Sequence, residues 1–279
     1  MFNRLFLVIS LPLIFIACSS SKTTQSDDKS FIYYTSGTQH LVAKKYTEAL
    51  TDLLEAEKLD PKSSEVQNNL AMTYYFKNEF DLARAHWKKA LDLDEKNLDA
   101  RNNLASLYFT QKNFNEAKKQ YEIVLSDLTY PNQFRTYYNI GLIENIQKNY
   151  DRARDMFQKA IDENENYCPA YFQLGLMSYE SGDYKAAYDR FKNAGIGDCV
   201  ANSSDATYYQ GLCSMKMGNS ERARLKFLDL IKRFPNSPFA LKAQAQIERI
   251  EQIESNSVVK SAIQDGLPSE EQKQSFVTP

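Results

Sequence analysis

Small residues recur along the chain at a nearly constant interval, and a large apolar residue follows each of them. Consecutive members of this series lie 34 or 36 residues apart, and the large residue comes four positions later. Another small residue precedes each member by twelve positions. The series is Ala49, Ala83, Ala117, Ala153, Ala187 and Ala223; the preceding residues are Gly37, Ala71, Ala105, Gly141, Gly175 and Gly211; the large residues are Leu53, Trp87, Tyr121, Phe157, Phe191 and Phe227. Because residues four apart share one helix face, the pattern predicts helices whose packed face carries a small and a large residue one turn apart.

This period resembles the tetratricopeptide repeat, in which each unit is a pair of antiparallel helices. The resemblance implies an all-α fold, a right-handed superhelical solenoid of about six repeats. We expect the repeats to span residues 30–63, 64–97, 98–133, 134–167, 168–203 and 204–237. Gly182 and Gly218 fall at the turn between the two helices of their repeats, where a left-handed backbone is useful. A capping helix is expected over residues 238–255 and a disordered tail over residues 256–279.

The first residues predict an export signal rather than a membrane span. The apolar run from Leu5 to Ala17 is shorter than the roughly 20 residues that cross a bilayer. Ala17 followed by Cys18 resembles the bacterial lipobox, which implies that residues 1–17 are removed and that Cys18 carries acyl chains such as palmitate. Residues 18–29 are polar and predict a flexible tether.

The residue after Cys18 bears on location. An Asp there would imply retention at the inner membrane, and this chain has Ser19. The resemblance therefore implies a lipid anchor at the periplasmic face of the outer membrane. A plain secretory signal with an incidental Cys18, or an inner-membrane anchor, is the alternative.

The tetratricopeptide resemblance also implies a concave groove lined by the first helix of each repeat. Mapped onto this chain, the inward positions are unusually apolar. The candidate partner-binding residues are Tyr34, Asn68, Met72, Tyr75, Phe76, Asn102, Phe109, Tyr138, Leu142, Phe172, Leu176, Tyr179, Tyr208 and Leu212. Contiguous apolar surface usually marks a binding site, and Tyr and Phe give large contact area at low entropic cost. Burial of these aromatic residues in the core is the alternative.

Two details indicate what kind of ligand the groove would bind. Asn68 and Asn102 are equivalent positions one repeat apart, and an amide can hold a ligand backbone with donor and acceptor together. Some tetratricopeptide proteins clamp a terminal carboxylate with basic residues on the inward face. The corresponding positions here contain no Lys or Arg, which favours an apolar protein segment as ligand.

Composition and charge narrow the function further. Gly 9 and Pro 8 are scarce, which favours long helices over all-β folds and argues against a glycine-rich phosphate loop. The formal net charge of −2 argues against a nucleic-acid partner. His40 and His86 occupy different repeats, and the sequence lacks metal-binding and nucleophile motifs. We therefore expect no enzymatic activity, no metal, no cofactor and no small-molecule substrate.

Three cysteines follow Cys18, and export would place them in an oxidising compartment. Cys168 opens the first helix of the fifth repeat and Cys199 lies just past the second helix. Antiparallel helices return the chain to the same end, so we hypothesise a disulfide between them. Cys213 falls inside the first helix of the sixth repeat and is expected to be a buried free thiol.

The combination of lipobox and six repeats resembles the type IV pilus biogenesis and stability family of pilotins, PilF, PilW and Tgl. The stretches that carry this resemblance are Asn102 to Phe109, the Tyr130-Pro131 junction with the helix after it, and Cys168 to Leu174. It implies a protein that helps the pilus secretin assemble in the outer membrane. Another envelope scaffold, for outer-membrane protein assembly or gliding machinery, and a regulatory subunit of a cell-wall enzyme are the alternatives.

Overall fold

The computed structural model describes residues 21–196 and 203–264 of the chain. All regular structure in these ranges is α-helical, which confirms the all-α prediction. The helices are α1 (Ser21–Val42), α2 (Tyr46–Leu59), α3 (Ser64–Phe76), α4 (Phe80–Leu93), α5 (Leu98–Thr110), α6 (Phe114–Leu125), α7 (Gln133–Ile146), α8 (Tyr150–Glu163), α9 (Cys168–Glu180), α10 (Tyr184–Asn193), α11 (Ser204–Lys216), α12 (Ser220–Arg233) and α13 (Pro238–Gln264).

The chain divides into two compact units, with the boundary between Gln120 and Tyr121 inside α6. In unit 1, α1 packs on α2, α3 packs on α4, and α3 also lies beside both α1 and α5. In unit 2 the packed pairs are α7 with α8, α9 with α10, and α11 with α12, and α13 covers α11 and α12. Each unit is therefore a stack of helical hairpins.

Contacts between small and large residues hold the hairpins together. An added Cβ at Gly141 would lie 2.6 Å from Phe157 Cε1, and one at Gly175 would lie 2.7 Å from Phe191 Cε1. Both rings are fully buried. The expected role of the small residue, which is to let a neighbouring helix approach closely, is confirmed at these positions.

The turns inside the hairpins share one backbone geometry. Gly182 has φ +84° and Gly218 has φ +76°, which confirms the left-handed conformation predicted there. Lys44, Asn78, Lys112 and Lys148 occupy the equivalent positions and also have positive φ, between 59° and 63°. The next residue donates its N–H to a carbonyl five positions back, as Asn113 does to Tyr108 at 2.8 Å. This Schellman closure forces the left-handed residue whether or not it is glycine.

Both ends of the helical part differ from the sequence prediction. Helix α1 begins at Ser21, so residues 21–29 are helical rather than a flexible tether. Helix α13 continues past Ser255 to Gln264. Neither segment contains Gly or Pro, and the first breakers after α13 are Gly266 and Pro268, so nothing in the sequence stops either helix earlier. Residues 1–20 and 265–279, including the predicted signal and Cys18, lie outside the described residues.

The structure tests the predictions for two of the three cysteines that follow Cys18. Cys213 is a fully buried free thiol, as predicted, and burial raises its pKa to about 12. Cys168 is disulfide-bonded. Cys199 lies outside the described residues, so its pairing with Cys168 stays a prediction.

Candidate partner-binding groove

In unit 1, a chain of amide hydrogen bonds lies beneath the inward face. Asn68 Oδ1 accepts a hydrogen bond from Trp87 Nε1 and another from Asn103 Nδ2, each at 3.0 Å. Asn68 Nδ2 donates to Asn69 Oδ1 at 3.3 Å, and Asn69 Nδ2 donates to Thr38 Oγ1 at 2.8 Å. These bonds connect α1, α3, α4 and α5. They fix the register of the hairpins because each bond requires one relative position of two helices.

This network corrects the prediction for the two asparagines. Asn68 is 8% exposed and Asn102 is 7% exposed, so neither amide faces a groove. Both acceptor lone pairs of Asn68 are used by Trp87 and Asn103. Repeat position alone places these residues on the ligand-binding face, and repeat position does not show which neighbours an amide bonds. The repeated Asn-Asn pair, at 68–69 and 102–103, was the signal for an internal network.

Aromatic residues gather where α3 ends. The Phe76 ring is 46% exposed and stacks on Tyr46, with ring centroids 5.1 Å apart. Tyr75 is half-buried against Trp87 and Phe80. Phe109 meets Phe114 in the same way at the end of α5, with centroids 5.7 Å apart. Of these predicted groove residues, Phe76 offers the most surface to a partner.

The remaining predicted residues of unit 1 are half-buried. Tyr34 and Met72 pack against the cores around Leu53 and Trp87 respectively. Burial raises the pKa of Tyr34, while hydrogen bonding with Thr38 opposes that shift. Tyr34 is therefore a neutral phenol that can both donate and accept a hydrogen bond.

In unit 2, the inward positions of α7, α9 and α11 form an apolar surface. Each of the predicted residues there is half-buried, with one side against the hydrophobic core. They are Tyr138, Leu142, Phe172, Leu176, Tyr179, Tyr208 and Leu212. Each side chain therefore contributes to the core and keeps a remaining exposed surface, and partner binding at that surface stays a prediction.

Tyr209 connects the aromatic residues of this surface. Its ring stacks on Phe191 with centroids 5.0 Å apart and 21° between planes. It also lies edge-on to Phe172 and Tyr179, each at 5.8 Å, and to Tyr208 at 5.9 Å. Tyr209 is not among the predicted groove residues, although it stands directly beside the inward residue Tyr208 in the sequence, and this adjacency was the available signal.

Two further aromatic residues at the edges of the surface were also missed. Tyr167 precedes α9 and lies 5.4 Å from the Tyr138 ring, and Phe239 opens α13 and lies 5.4 Å from Tyr208. Burial raises the pKa of Tyr167 to about 12 and also raises that of Tyr138. At neutral pH the surface is therefore uncharged at these phenols, which suits an apolar partner segment with a few hydrogen-bonding groups.

The histidines belong to local hydrogen-bonded pairs in unit 1. His40 Nδ1 lies 3.0 Å from Asp52 Oδ2, and His86 Nδ1 lies 2.7 Å from Gln67 Oε1. Burial lowers the pKa of His86. Within residues 21–196 and 203–264, no His, Cys, Asp or Glu side chains group in a way that could hold a metal ion. The same residues include no helix long and apolar enough to cross a membrane.

Comparison with known proteins identifies the repeat. Models of the tetratricopeptide repeat match residues 98–162 and 205–237, and a related repeat model matches residues 72–112. Together with the stacked hairpins, these matches define the class of repeat: the chain contains tetratricopeptide repeats.

The chain is homologous to type IV pilus assembly protein PilF of Pseudomonas aeruginosa, with 27% identity over 172 residues, 61% of this chain and 68% of PilF. A solved PilF structure from the same organism superimposes with a TM-score of 0.67, at 24% identity, over 80% of this chain and 99% of that one. PilW, a widely conserved type IV pilus biogenesis factor, gives a TM-score of 0.66 at 20% identity, over 77% of this chain and 98% of its own. The fold is therefore shared with pilus proteins that bear these names.

Proposed function

We propose that this protein is a lipid-anchored scaffold that holds segments of a pilus secretin and aids its assembly in the outer membrane. The observation that carries the proposal is the sequence homology to PilF, whose name assigns it to type IV pilus assembly. Tetratricopeptide proteins bind protein partners, so the relevant surface is a protein-binding one.

The aromatic surface of unit 2 supports this role. Across three successive hairpins, rings and leucines keep part of their surface exposed, and together they offer a partner a preformed apolar surface. A preformed surface lowers the entropic cost of binding because its side chains are already ordered by contacts with the core. This apolar surface would bind an apolar segment of the secretin, either helical or extended.

The anchor assignment is supported by the sequence. Ala17-Cys18 at the end of a short apolar run has the arrangement of a processed lipoprotein, and Ser19 does not carry the inner-membrane signal. Stable anchoring needs more than one acyl chain, and a lipoprotein cysteine receives several. An anchored scaffold would meet the secretin where it inserts.

The assembly role is tested by deleting the gene and measuring heat-stable secretin multimers in outer-membrane fractions. We expect multimers to fall strongly while secretin monomer persists, and the wild-type gene to restore them. Unchanged multimers in the deletion strain would refute the pilotin role.

The groove is tested in the purified chain with peptides that tile the secretin. Leu176→Asn with Leu212→Asn places two polar amides on the unit 2 surface, and we expect peptide affinity to fall about tenfold or more because apolar contact is lost. Leu225→Asn with Leu228→Asn is the matched control, since both leucines are exposed on the outer face of α12. Circular dichroism checks that both variants keep their helices. Equal loss in both variants would contradict the groove assignment.

Lipidation is tested by globomycin treatment and by Cys18→Ser. Blocking the lipoprotein signal peptidase should accumulate a precursor, and the variant should leave the outer-membrane fraction. Normal processing under globomycin would exclude a lipid on Cys18.

A further inference from the structure

The outer helices of the two units differ in charge. Helix α2 carries Lys58 against Glu48, Asp52, Glu55 and Glu57, a net charge of −3. Helix α12 carries Arg222, Arg224, Lys226, Lys232 and Arg233 against Glu221 and Asp229, a net charge of +3. Helix α10 adds Lys185, Arg190 and Lys192 against Asp189, a net charge of +2. Although the net charge of the whole chain is close to zero, helices α10 and α12 of unit 2 carry an excess of positive charge.

Helices α10 and α12 present one continuous basic face. The Arg222 guanidinium lies over the Tyr188 ring, 4.1 Å from its centroid, and Lys226 Nζ lies 5.9 Å from the same ring. Tyr188 belongs to α10, so these contacts join the outer faces of the two helices. Both cations sit on an aromatic platform that orders their side chains, which lowers the entropic cost of using them in binding.

The two acidic residues of α12 are already neutralised within the helix. Glu221 pairs with Arg224, and Asp229 pairs with Arg233 at 3.2 Å. The basic residues of α12 outside these two pairs are Arg222, Lys226 and Lys232. Lys185, Lys192, Arg222 and Lys232 are exposed, so the excess positive charge faces solvent.

Two leucines stand among these charges. Leu225 is 58% exposed and Leu228 is 49% exposed, one helical turn apart on the outer face of α12. They lie outside the core set of Ala223, Phe227 and Leu230. Within one helical turn of these leucines lie Arg222, Arg224 and Lys232, together with the paired acids Glu221 and Asp229. Exposed apolar side chains among such cations are typical of a helix that lies at a lipid interface.

We propose that the face formed by α10 and α12 docks on the surface of an anionic phospholipid membrane. The excess cations would meet lipid phosphates, and Leu225 and Leu228 would enter the headgroup region. The paired leucines favour a lipid surface over an acidic protein, because charge alone would serve for the latter.

This inference goes beyond the proposed scaffold function and rests on it in one respect. A lipid on Cys18 would hold the chain near a membrane and so raise the effective concentration of the basic face there. The docking itself uses only residues of unit 2, and it can be measured without the lipid and without any secretin.

The experiment is vesicle flotation of the chain from Ser19 to Pro279, which keeps every residue that the structure describes. The probes are vesicles of phosphatidylcholine alone and of phosphatidylcholine mixed with phosphatidylglycerol. We expect binding only to the anionic vesicles, with the bound fraction falling as salt is raised. Lys192→Glu with Lys232→Glu should weaken partitioning at least about tenfold.

Two variants complete the design. Lys88→Glu with Lys119→Glu makes the same charge change on exposed positions of unit 1, and it should bind like wild type. Leu225→Asn with Leu228→Asn should weaken vesicle binding while secretin peptides still bind, the reverse of the groove variant. Absence of binding to anionic vesicles, or equal loss in the unit 1 control, would overturn the inference, and neither result bears on the groove.

Discussion

The same inward repeat position is filled by different chemistry in the two units. In unit 1 it holds one ring, Tyr34, and two buried asparagines, Asn68 and Asn102, and Asn68 accepts two hydrogen bonds from neighbouring helices. In unit 2 it holds Tyr138, Phe172 and Tyr208, which are half-buried and contact other rings. Directional bonds use up the polar groups that make them, whereas ring packing leaves one side of each ring available. At this repeat position, the ring surface that a partner could contact therefore lies mainly in unit 2.

The strongest test of this difference removes the ring at the centre of the unit 2 surface. Tyr209→Ala deletes contacts with Phe172, Tyr179, Phe191 and Tyr208, and we expect it to lower the free energy of unfolding by about 3 kcal/mol. Urea unfolding followed by circular dichroism measures the loss. Tyr209→Phe keeps the ring and should cost less than about 1 kcal/mol. If both variants cost the same, ring packing is not what stabilises this surface.

The corresponding test in unit 1 removes an acceptor. Asn68→Leu leaves the Trp87 indole N–H and the Asn103 amide without their buried partner, and we expect a loss of about 2 kcal/mol. Trp87→Phe in the same chain removes one of the stranded donors. The double variant should therefore lose less than the sum of the two single variants, and strict additivity would contradict the network.

A smaller loss of stability is expected when a methyl group is added between two paired helices. Unit 2 places Gly175 against the Phe191 ring, whereas unit 1 places Gly37 against the smaller Leu53 and Ala71 in the hairpin of Trp87. Gly175→Ala brings a methyl group to 2.7 Å from a buried ring that cannot swing away, and we expect a cost of about 1.5 kcal/mol. Gly195→Ala, in the turn after α10, is the comparison, because its added carbon would meet its neighbour at an ordinary 3.4 Å. Thermal unfolding should show the loss in Gly175→Ala alone, and an equal loss in both variants would contradict the packing explanation.

The sequence predicted the hairpins because a 34-residue period samples the same packing position repeatedly. Close approach requires a small residue there in every repeat, so the pattern is strong. It could not assign Asn68, because a repeat position states where a residue lies and not which neighbours satisfy its amide. It missed Tyr209 because that ring reaches the surface from beside the inward position. The ends of α1 and α13 were misjudged from polar composition, although no helix-breaking residue lies within either segment.

The smallest effect concerns the turns. Unit 1 closes them with Lys44, Asn78 and Lys112 at positive φ, and unit 2 uses Lys148, Gly182 and Gly218.

Lys112→Gly should raise the free energy of unfolding by about 0.5 kcal/mol, because relief of left-handed strain exceeds the entropy that glycine adds to the unfolded chain. Gly182→Ala should lower it by about 0.5–1 kcal/mol, and no atom lies within 4 Å of the added carbon, so the change reports backbone strain alone. Urea unfolding of the two variants measures both changes in the free energy of unfolding, which we expect to be opposite in sign. A loss of stability in Lys112→Gly would show that left-handed strain at this lysine is smaller than the entropy that glycine adds to the unfolded chain, which would contradict the prediction.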